Sequence, residues 1–487
     1  MIVFVDNINF KNENNFKSLF TYIKLNNIKY IKNTYGDKGL KTAQGYYKNY
    51  IKQLPPSIYS KEYIFDNYWG FFKDELLLHL LKKEELYSSS LPSEDKILFD
   101  YLYLNYYEEL EYNLRATLFW LNYWKQYINF SNIYVCFANA LIYTKTLSSI
   151  LEENQIPMYV VEHFATGNDF YFDRRYTHIP NNISAPEIEF SIKKYSNALI
   201  RLETWNNKNV KQKLSPKKSF FNQKSTFLLS TQVVNDFSII CTERKYLSVI
   251  KYYKLIIDKV ISDTESNLII KTHPYEKVKN KRSITFDILV DYIYKFHGKD
   301  IHRIKIVEDY NLEVLIDNIQ CAILFNSQIA FEIAQKGKPI ITLGNPFYGG
   351  YFTIDKEVDT LKLKNADEYK FNSEKYKHYL VNIMEYLYNN DDLEKIKKEL
   401  SQYSIEINSL TENNSTYNRN NIIVKNSNMK INSVENSNMK INSVENFLIK
   451  KFASDKKYNK YKNKRDLFYH DTKNISGKIM KLLFYRK

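Results

Sequence analysis

An alternation of short apolar runs with amphipathic segments constrains the fold most, and it occurs in both halves of the 487-residue chain. In the first half, strands are predicted for IVFVD, IKYIKN, IYVCFAN and PMYVVEHF, and helices for NNFKSLFTYIKLNN and TKTLSSILEENQ. In the second half, strands are predicted for STFLLS, NLIIK, IKIVE, CAILF and KPIITLG, and helices for YLSVIKYYKLIIDKVISD, LEVLIDN and SQIAFEIAQKG. This alternation predicts an α/β protein with parallel sheets and crossover helices.

The two halves predict two Rossmann-like domains whose parallel sheets face a cleft. The first domain is expected at residues 1–185, with an aromatic-rich helical insert at about 55–130, and the second at 225–410. The polar stretch 186–224 is expected to be the linker between them. Residues 411–487 are predicted to be a low-complexity Asn/Lys-rich spacer with a tandem decapeptide repeat, NSNMKINSVE, followed by a basic tail.

The excess of positive charge is concentrated in that tail. The formal net charge is +15, and residues 446–487 contain 13 basic and 3 acidic residues. A basic tail suits an anionic membrane surface or nucleic acid. We expect no nucleic-acid partner, because the charge lies beyond the predicted fold and no nucleic-acid motif is present. A Lys- and Asn-rich composition typical of AT-rich coding explains much of the charge without any ligand.

Apolar segments and cysteines narrow the class of protein further. No run of about 18 apolar residues occurs, so no transmembrane helix is expected. The N-terminus lacks the features of a secretory signal, which predicts a cytoplasmic protein. Cys136, Cys241 and Cys321 each lie in an apolar run and form no CxxC pair, so they are expected to be buried packing thiols.

Polar side chains follow four predicted strands of the second half. They are Gln232 and Asp236 after STFLLS; Lys271, His273, Pro274 and Glu276 after NLII; Asn326, Ser327 and Glu332 after CAILF; and Asn345 and Tyr348 after PIITLG. Ligands of open α/β sheets bind beyond the carboxyl ends of the strands. We therefore expect these side chains to border one crevice.

The residue types in this crevice suit a sugar nucleotide. Lys271 and His273 can neutralise and hydrogen-bond a phosphate, and Pro274 fixes the turn that aims the imidazole. Ser327 is expected to add a hydroxyl and the N–H groups of a helix N-terminus, and Glu332 could bind ribose hydroxyls. Taken singly, Ser327 could be a helix cap and Glu332 an exposed helix residue. ATP hydrolysis and dinucleotide redox chemistry lack support, because neither a Walker loop nor a GxGxxG motif is present.

Three stretches of the second half resemble a known family. QVVNDFSII, KTHPYE and FNSQIAFEIAQKGKPIITLGNPFY are similar to signature blocks of the bacterial capsule polysaccharide biosynthesis proteins, the KpsC/KpsS-like or LipB-like Kdo transferases. The matching positions are Gln232, Asp236, His273, Pro274, Asn326, Ser327, Glu332, Gly337, Lys338, Pro339, Gly344 and Tyr348. In the first half, VVEHFATGNDFYFD matches an acidic block of the family at Glu162, with Asp173 as its downstream Asp. His163 and Phe164 replace the usual acidic residue and Gly.

The resemblance implies a GT-B-like glycosyltransferase that takes a CMP-activated sugar, CMP-Kdo, as its donor. The implied acceptor is a lipid-linked saccharide or phospholipid at the inner face of the cytoplasmic membrane, with capsule assembly proteins as partners. Glu162, Asp169 or Asp173 would supply the carboxylate at the anomeric centre. Neither a metal nor a cofactor is expected. His163 and Phe164 leave open which carboxylate is the nucleophile and whether the reaction retains or inverts the anomeric configuration.

Two alternatives fit the same sequence. The first is a sialyltransferase-type enzyme or a polyol-phosphate transferase on the same fold. The second belongs to another class: a non-catalytic capsule assembly or export protein that binds a glycan or lipid.

Overall fold

The computed structural model describes residues 1–6, 9–32, 59–175, 180, 182–208, 220–221 and 225–403, with the side chains of 204–208 left aside. All of them belong to one compact unit, Met1–Ser409. Within these residues the strands form two six-stranded sheets. The predicted spacer, decapeptide repeat and basic tail lie outside the described residues.

The first sheet is mostly parallel and has the strand order β12-β5-β4-β3-β1-β2. Its strands are β1 (Ile2–Phe4), β2 (Tyr30–Lys32), β3 (Ile133–Phe137), β4 (Met158–His163), β5 (Asp169–Arg175) and β12 (Tyr388–Asn389). β1 pairs in parallel with β2 and β3, and β3 pairs in parallel with β4. β5 runs antiparallel to both β4 and β12. β12, the last of the described strands, thus returns to the first sheet.

The second sheet is parallel throughout and has the order β11-β10-β9-β6-β7-β8. Its strands are β6 (Thr226–Ser230), β7 (Asn267–Lys271), β8 (Ile304–Val307), β9 (Cys321–Leu324), β10 (Ile340–Thr342) and β11 (Ile354–Asp355). Every residue of β6, β7, β9 and β10 is buried. Burial on both faces is typical of parallel strands covered by crossover helices, and it explains their unbroken apolar runs.

Helices cover both sheets and form the insert. The α-helices are α1 (Lys17–Leu25), α2 (Lys61–Leu80), α3 (Glu84–Tyr87), α4 (Asp95–Asn105), α5 (Tyr107–Tyr127), α6 (Ile142–Glu153), α7 (Ile192–Lys208), α8 (Phe237–Ile240), α9 (Val249–Asp263), α10 (Tyr275–Asn280), α11 (Ile284–Phe296), α12 (Leu312–Asp317), α13 (Ala330–Gln335) and α14 (Ser373–Tyr386). Short 3₁₀ helices occupy Glu13–Phe16, Gly298–Arg303 and Ala366–Glu368. Residues 393–403 are also helical. No described helix is both long and apolar enough to span a bilayer.

The predicted α/β class with two Rossmann-like sheets is confirmed, and each strand named from the sequence is present. β5 and α7 differ from expectation. β5 is an antiparallel strand, which the alternation of strands and helices did not predict. The stretch expected as a linker contains α7, whose Ala198 and Leu202 are buried beneath a polar exterior. The domain boundaries themselves remain a prediction.

The cysteines follow expectation in two cases out of three. Cys136 and Cys321 are fully buried in the sheets, as predicted, and all three thiols are free. Cys241 is only partly buried, because it lies in the turn after α8 rather than inside a sheet. Its Sγ lies 3.7 Å from an Asp74 carboxylate oxygen.

Candidate functional site

The chain segments that follow β6 and β9 are joined by Gln232. Its side-chain Oε1 accepts the backbone N–H of Asn326 at 2.8 Å, and its Nε2 donates to Ser238 Oγ at 3.2 Å. Its own backbone N–H donates to the Tyr253 hydroxyl at 2.9 Å. β6 and β9 are neighbours in the sheet, so this amide ties two adjacent strand ends together. Asp236 lies close by, capping α8 through Ser238 N–H at 3.0 Å.

Lys271 and Glu332 form the charged part of the site. Lys271 ends β7 and is 6% exposed, and its Nζ reaches only the Glu308 carbonyl, at 3.5 Å, among described groups. Burial lowers the pKa of Lys271, while the carboxylates of Asp309 and Glu332 act in the opposite direction. Glu332 is 8% exposed, and burial raises its pKa to about 7. Two ionisable groups whose pKa values shift in opposite directions, at the carboxyl edge of one sheet, are typical of functional sites.

His273 lies two residues beyond Lys271 and is exposed to solvent. Its Nδ1 accepts the Tyr275 backbone N–H at 3.2 Å. In the neutral imidazole the proton is therefore on Nε2, which has no hydrogen-bond partner among the described residues. Loss of surrounding water, followed by the charge on Lys271, lowers the pKa of His273. A neutral imidazole with a free N–H donor thus stands beside a buried ammonium.

Two neighbours of His273 support its position. Pro274 precedes α10 with φ −64°, as expected for the residue that sets this turn. Glu276 is 1% exposed and accepts the Val234 N–H at 3.1 Å, the Thr285 N–H at 2.7 Å and the Thr285 hydroxyl at 3.0 Å. Its carboxylate connects α10, α11 and the segment after β6. Its predicted contact with substrate remains a prediction.

The Asn326–Ser327 segment differs from the sequence-based picture. α13 begins at Ala330 rather than at Ser327, and a turn precedes it. The Ala330 N–H bonds to the Ser327 carbonyl at 3.3 Å, and the Phe331 N–H bonds to the Gln328 carbonyl at 3.2 Å. The expected open N-terminus at Ser327 is therefore wrong: these N–H groups serve the turn. Tyr348 is fully buried and fixes the turn by donating to the Ser327 carbonyl at 2.6 Å.

The three carboxylates predicted in the first half each have partners within the protein. Glu162, in β4, accepts a hydrogen bond from the Tyr171 hydroxyl. Asp169 is 2% exposed, pairs with the Arg201 guanidinium, with Nε at 3.0 Å, and accepts from the Thr166 hydroxyl. Asp173 accepts from the Tyr386 hydroxyl, and burial raises its pKa. Their catalytic assignment remains a prediction.

His163 and Phe164, where the sequence departs from the family block, both pack against aromatic rings. His163 stacks on Phe16, with ring centroids 4.6 Å apart. Phe164 is 2% exposed and contacts Phe331 of α13 edge-on at 5.1 Å. Because Phe164 follows β4 and Phe331 follows β9, the carboxyl ends of the two sheets meet here. A glycine at 164 would leave this contact empty.

The sequence analysis missed two acids of the first half whose carboxylates are hydrogen-bonded within the protein. Asp6 follows β1, is 4% exposed, and accepts from the Asn9 amide at 2.6 Å and the Tyr143 hydroxyl at 3.1 Å. Glu75 of α2 accepts the Ile142 N–H at 2.7 Å, and burial raises its pKa to about 7. The strand-end rule applied to IVFVD would have found Asp6. No local signal marks Glu75.

Comparison with known proteins agrees with the sequence-based resemblance. The family model described as "Capsule polysaccharide biosynthesis protein" matches residues 145–390, just over half of the chain. No curated protein matches the chain significantly. The match spans β4 to β12, including every predicted site residue.

Solved structures give distant similarities. The β-Kdo 2,4-transferase of Thermosulfurimonas dismutans KpsC is 16% identical over 52% of this chain and 79% of that one, with a TM-score of 0.37. The β-Kdo 2,7-transferase of the same KpsC is 15% identical over 58% and 88%, with a TM-score of 0.34. The UDP-GlcNAc 2-epimerase of Methanocaldococcus jannaschii is 16% identical over 65% and 97%, with a TM-score of 0.25. On the family match, the chain belongs to the capsule polysaccharide biosynthesis protein family.

Proposed function

We propose that the protein is a glycosyltransferase of capsule or surface polysaccharide biosynthesis that uses a CMP-activated sugar, CMP-Kdo, and a lipid-linked acceptor. The observation that carries this proposal is that Lys271 and the free Nε2–H of His273 both lie at the end of β7. An ammonium and a neutral N–H donor together can bind the single phosphate of CMP and stabilise it as it leaves.

The remaining groups of the site fit the same reaction. Glu332 can accept hydrogen bonds from ribose hydroxyls. Because its pKa is near 7, both the protonated and the ionised carboxyl are populated at physiological pH. In the first half, Glu162, Asp169 and Asp173 are the proposed carboxylates at the anomeric centre, where an oxocarbenium-like transition state needs negative charge. A monophosphate leaving group needs less charge neutralisation than a diphosphate, which suits a site built around one lysine.

The proposal also includes a location and partners. The acceptor is a lipid-linked saccharide or a phospholipid, so the protein would act peripherally at the inner face of the cytoplasmic membrane, together with capsule assembly proteins. The basic residues of 446–487 would contribute attraction to anionic lipid.

A second candidate function is supported by one observation. Glu162, Asp169 and Asp173 are all hydrogen-bonded to neighbouring side chains. A protein that binds a nucleotide sugar or glycan without catalysis could hold its carboxylates in this way.

Nucleotide titration tests the proposal. Calorimetric binding of CMP, CMP-Kdo, CMP-sialic acid, CDP-glycerol and UDP is measured for the full chain and for His273→Ala. The matched control is His302→Ala, since His302 is an exposed imidazole that precedes β8, at the amino ends of the strands. We expect CMP and CMP-Kdo to bind and the His273 variant to lose about 10-fold or more in affinity, as for a charge-assisted hydrogen bond.

The outcomes separate the candidates. Binding of CMP-Kdo followed by transfer to a lipid acceptor supports the Kdo transferase. Tighter binding of CMP-sialic acid or CDP-glycerol favours the related transferases. Binding without turnover favours the assembly protein, and no binding of any nucleotide refutes the transferase proposal.

A further inference from the structure

Two cavities meet at the loop that follows α8. The larger, about 770 Å³, lies between this loop and the helical insert and is lined by residues of α2, α4 and α6. The smaller, about 460 Å³, lies beyond the carboxyl ends of β10 and β11. Glu243, Arg244 and Lys245 line both cavities. The three residues therefore form a shared wall that the predicted strand-end site does not include.

The lysines that line the larger cavity all have carboxylate partners. The pairs are Lys145 with Asp74, Lys73 with Asp95, and Lys245 with Asp359. The other two acids of this cavity, Glu94 and Glu243, are exposed to solvent. Water therefore screens their charges, and they offset a nearby cation poorly.

Arg244 differs from these lysines. Its Nη1 donates to the Ile239 carbonyl at 2.6 Å, which uses one of its five N–H donors. Its Nε is buried and has no hydrogen-bond partner among the described residues. No carboxylate of the described residues lies within 4 Å of the guanidinium. Burial lowers the pKa of Arg244 to about 10, although Tyr252, Cys241 and Asp74 act in the opposite direction.

Arg244 is partly exposed, but an unpaired guanidinium whose Nε is buried is unfavourable unless something compensates it. Its planar fork of donors matches the oxygens of a carboxylate or a phosphate in a bidentate contact. Arg244 borders about 770 Å³ of space on the insert side, enough to admit a sugar or a lipid headgroup.

We propose that Arg244 binds the anionic group, a phosphate or a carboxylate, of the acceptor in the cavity between the helical insert and the second sheet. The assignment to the acceptor rests on the proposed transferase function, whereas anion binding at Arg244 does not.

Calorimetric titration of the full chain at constant ionic strength tests this site. The probes are inorganic phosphate, sn-glycerol 3-phosphate and glucuronate, where the last two represent a phospholipid headgroup and an acidic sugar. The variants are Arg244→Gln, which removes the cation, Arg244→Lys, which keeps it, and Glu243→Gln, which removes a negative charge from the same wall. His273→Ala separates any phosphate bound at the strand-end site.

We expect at least one probe to bind. Arg244→Gln should lower the affinity for this probe by about 10-fold or more, and Arg244→Lys should retain part of the affinity. Glu243→Gln should leave binding unchanged or strengthen it, and His273→Ala should remove only the phosphate that binds at the strand-end site. Melting temperatures establish that each variant is folded. If Arg244→Gln is unfolded, Arg244→Lys replaces it, because loss of the bidentate fork should weaken binding of the probe and unchanged binding would overturn the proposal.

The probe that binds more tightly identifies the source of the anion. Failure of all three probes to bind wild-type protein, or equal binding by wild type and a folded Arg244→Gln variant, overturns the proposal. Failure of the transferase function would instead appear as absent nucleotide binding, with the effect of Arg244→Gln on the anion probes unchanged.

Discussion

The side-chain oxygen of Gln232 accepts the backbone N–H of Asn326 at 2.8 Å, across 94 residues of sequence. Both residues are buried, so no water can replace either partner without rearrangement. This bond holds together the segments after β6 and β9, from which the predicted nucleotide site is built. The residue that resembles a substrate ligand in the family block is thus also a structural brace.

Replacing Gln232 by Leu should lower the free energy of unfolding by about 1–3 kcal/mol, because it leaves the buried Asn326 N–H without an acceptor. Urea unfolding measures the change. Gln126→Leu is the matched control, since Gln126 is exposed on α5, and it should alter stability by no more than about 0.5 kcal/mol. Equal stability of the two variants would contradict the bracing role.

A second prediction concerns Gly344, which follows β10. A Cβ at this position would overlap Asn326 Oδ1 and lie 2.8 Å from the Phe325 carbonyl oxygen. The Phe325 oxygen belongs to the backbone, and the Asn326 side chain is held in place because its Nδ2 donates to the Ser238 carbonyl and the Thr242 hydroxyl. Gly344→Ala should therefore destabilise the protein by about 1–3 kcal/mol through overpacking.

The control for Gly344 is Gly298→Ala in the 3₁₀ helix before β8. A Cβ there meets no atom within 4 Å, so its effect should be neutral or slightly stabilising, by less than about 1 kcal/mol. Thermal melting of both variants tests the comparison. A Gly344→Ala protein as stable as Gly298→Ala would mean that the strand end after β10 is not tightly packed on Asn326.

The third prediction is a pH dependence caused by Glu332. Burial raises its pKa from 4.5 to about 7, so the folded state binds more protons than the unfolded state between these values. Stability contributed by this group therefore falls as pH rises from about 4.5 to 7. Glu332→Gln removes this loss. The free energy of unfolding of the variant, relative to wild type, should therefore increase by up to about 3 kcal/mol between pH 4.5 and pH 8.

Urea unfolding of wild type and Glu332→Gln across this range measures the effect. Glu75 also titrates near pH 7, but it does so in both proteins and cancels in the difference. Glu394→Gln is the control, because its side chain is 82% exposed and should give a pH-independent difference. A constant difference for Glu332→Gln would show that its carboxyl ionises normally in the folded protein.

The sequence could predict the strands and the strand-end residues because both follow from local patterns. Buried parallel strands produce apolar runs such as NLIIK, and Lys271 and His273 come directly after one of them. The structural role of the Glu276 carboxylate could not be predicted, because its partner Val234 lies 42 residues away and only the folded chain joins them. Long-range hydrogen bonds produce no pattern in the neighbouring sequence.

β5 and α7, which depart from the alternation of parallel strands and helices, were harder to predict. β5 pairs antiparallel with β4 through a short turn, and its sequence DFYFDRR carries charges at both ends that resemble a loop. α7 has so polar an exposed face that its buried residues, Ala198 and Leu202, were hidden in a stretch resembling a linker. In both cases tertiary packing, rather than local propensity, decides the structure.

The last prediction concerns Asp169, which the sequence suggested as a catalytic carboxylate. Asp169 is almost fully buried, and the Arg201 guanidinium binds it while also donating to the Met384 carbonyl. Asp169→Asn removes one charge and leaves Arg201, whose side chain is 23% exposed, without its counter-charge. The variant should therefore lose about 3 kcal/mol of stability.

A double variant separates structure from catalysis. Asp169→Asn combined with Arg201→Met removes both charges and should recover part of the stability that either single change loses, giving a coupling energy above about 0.5 kcal/mol. Lys377→Met is the control, because its pair with Glu374 is screened by solvent and should contribute little to stability. A folded Asp169→Asn protein of unchanged stability that binds donor but has lost transfer would instead identify Asp169 as a catalytic residue, since a structural ion pair cannot be neutralised without cost to the fold.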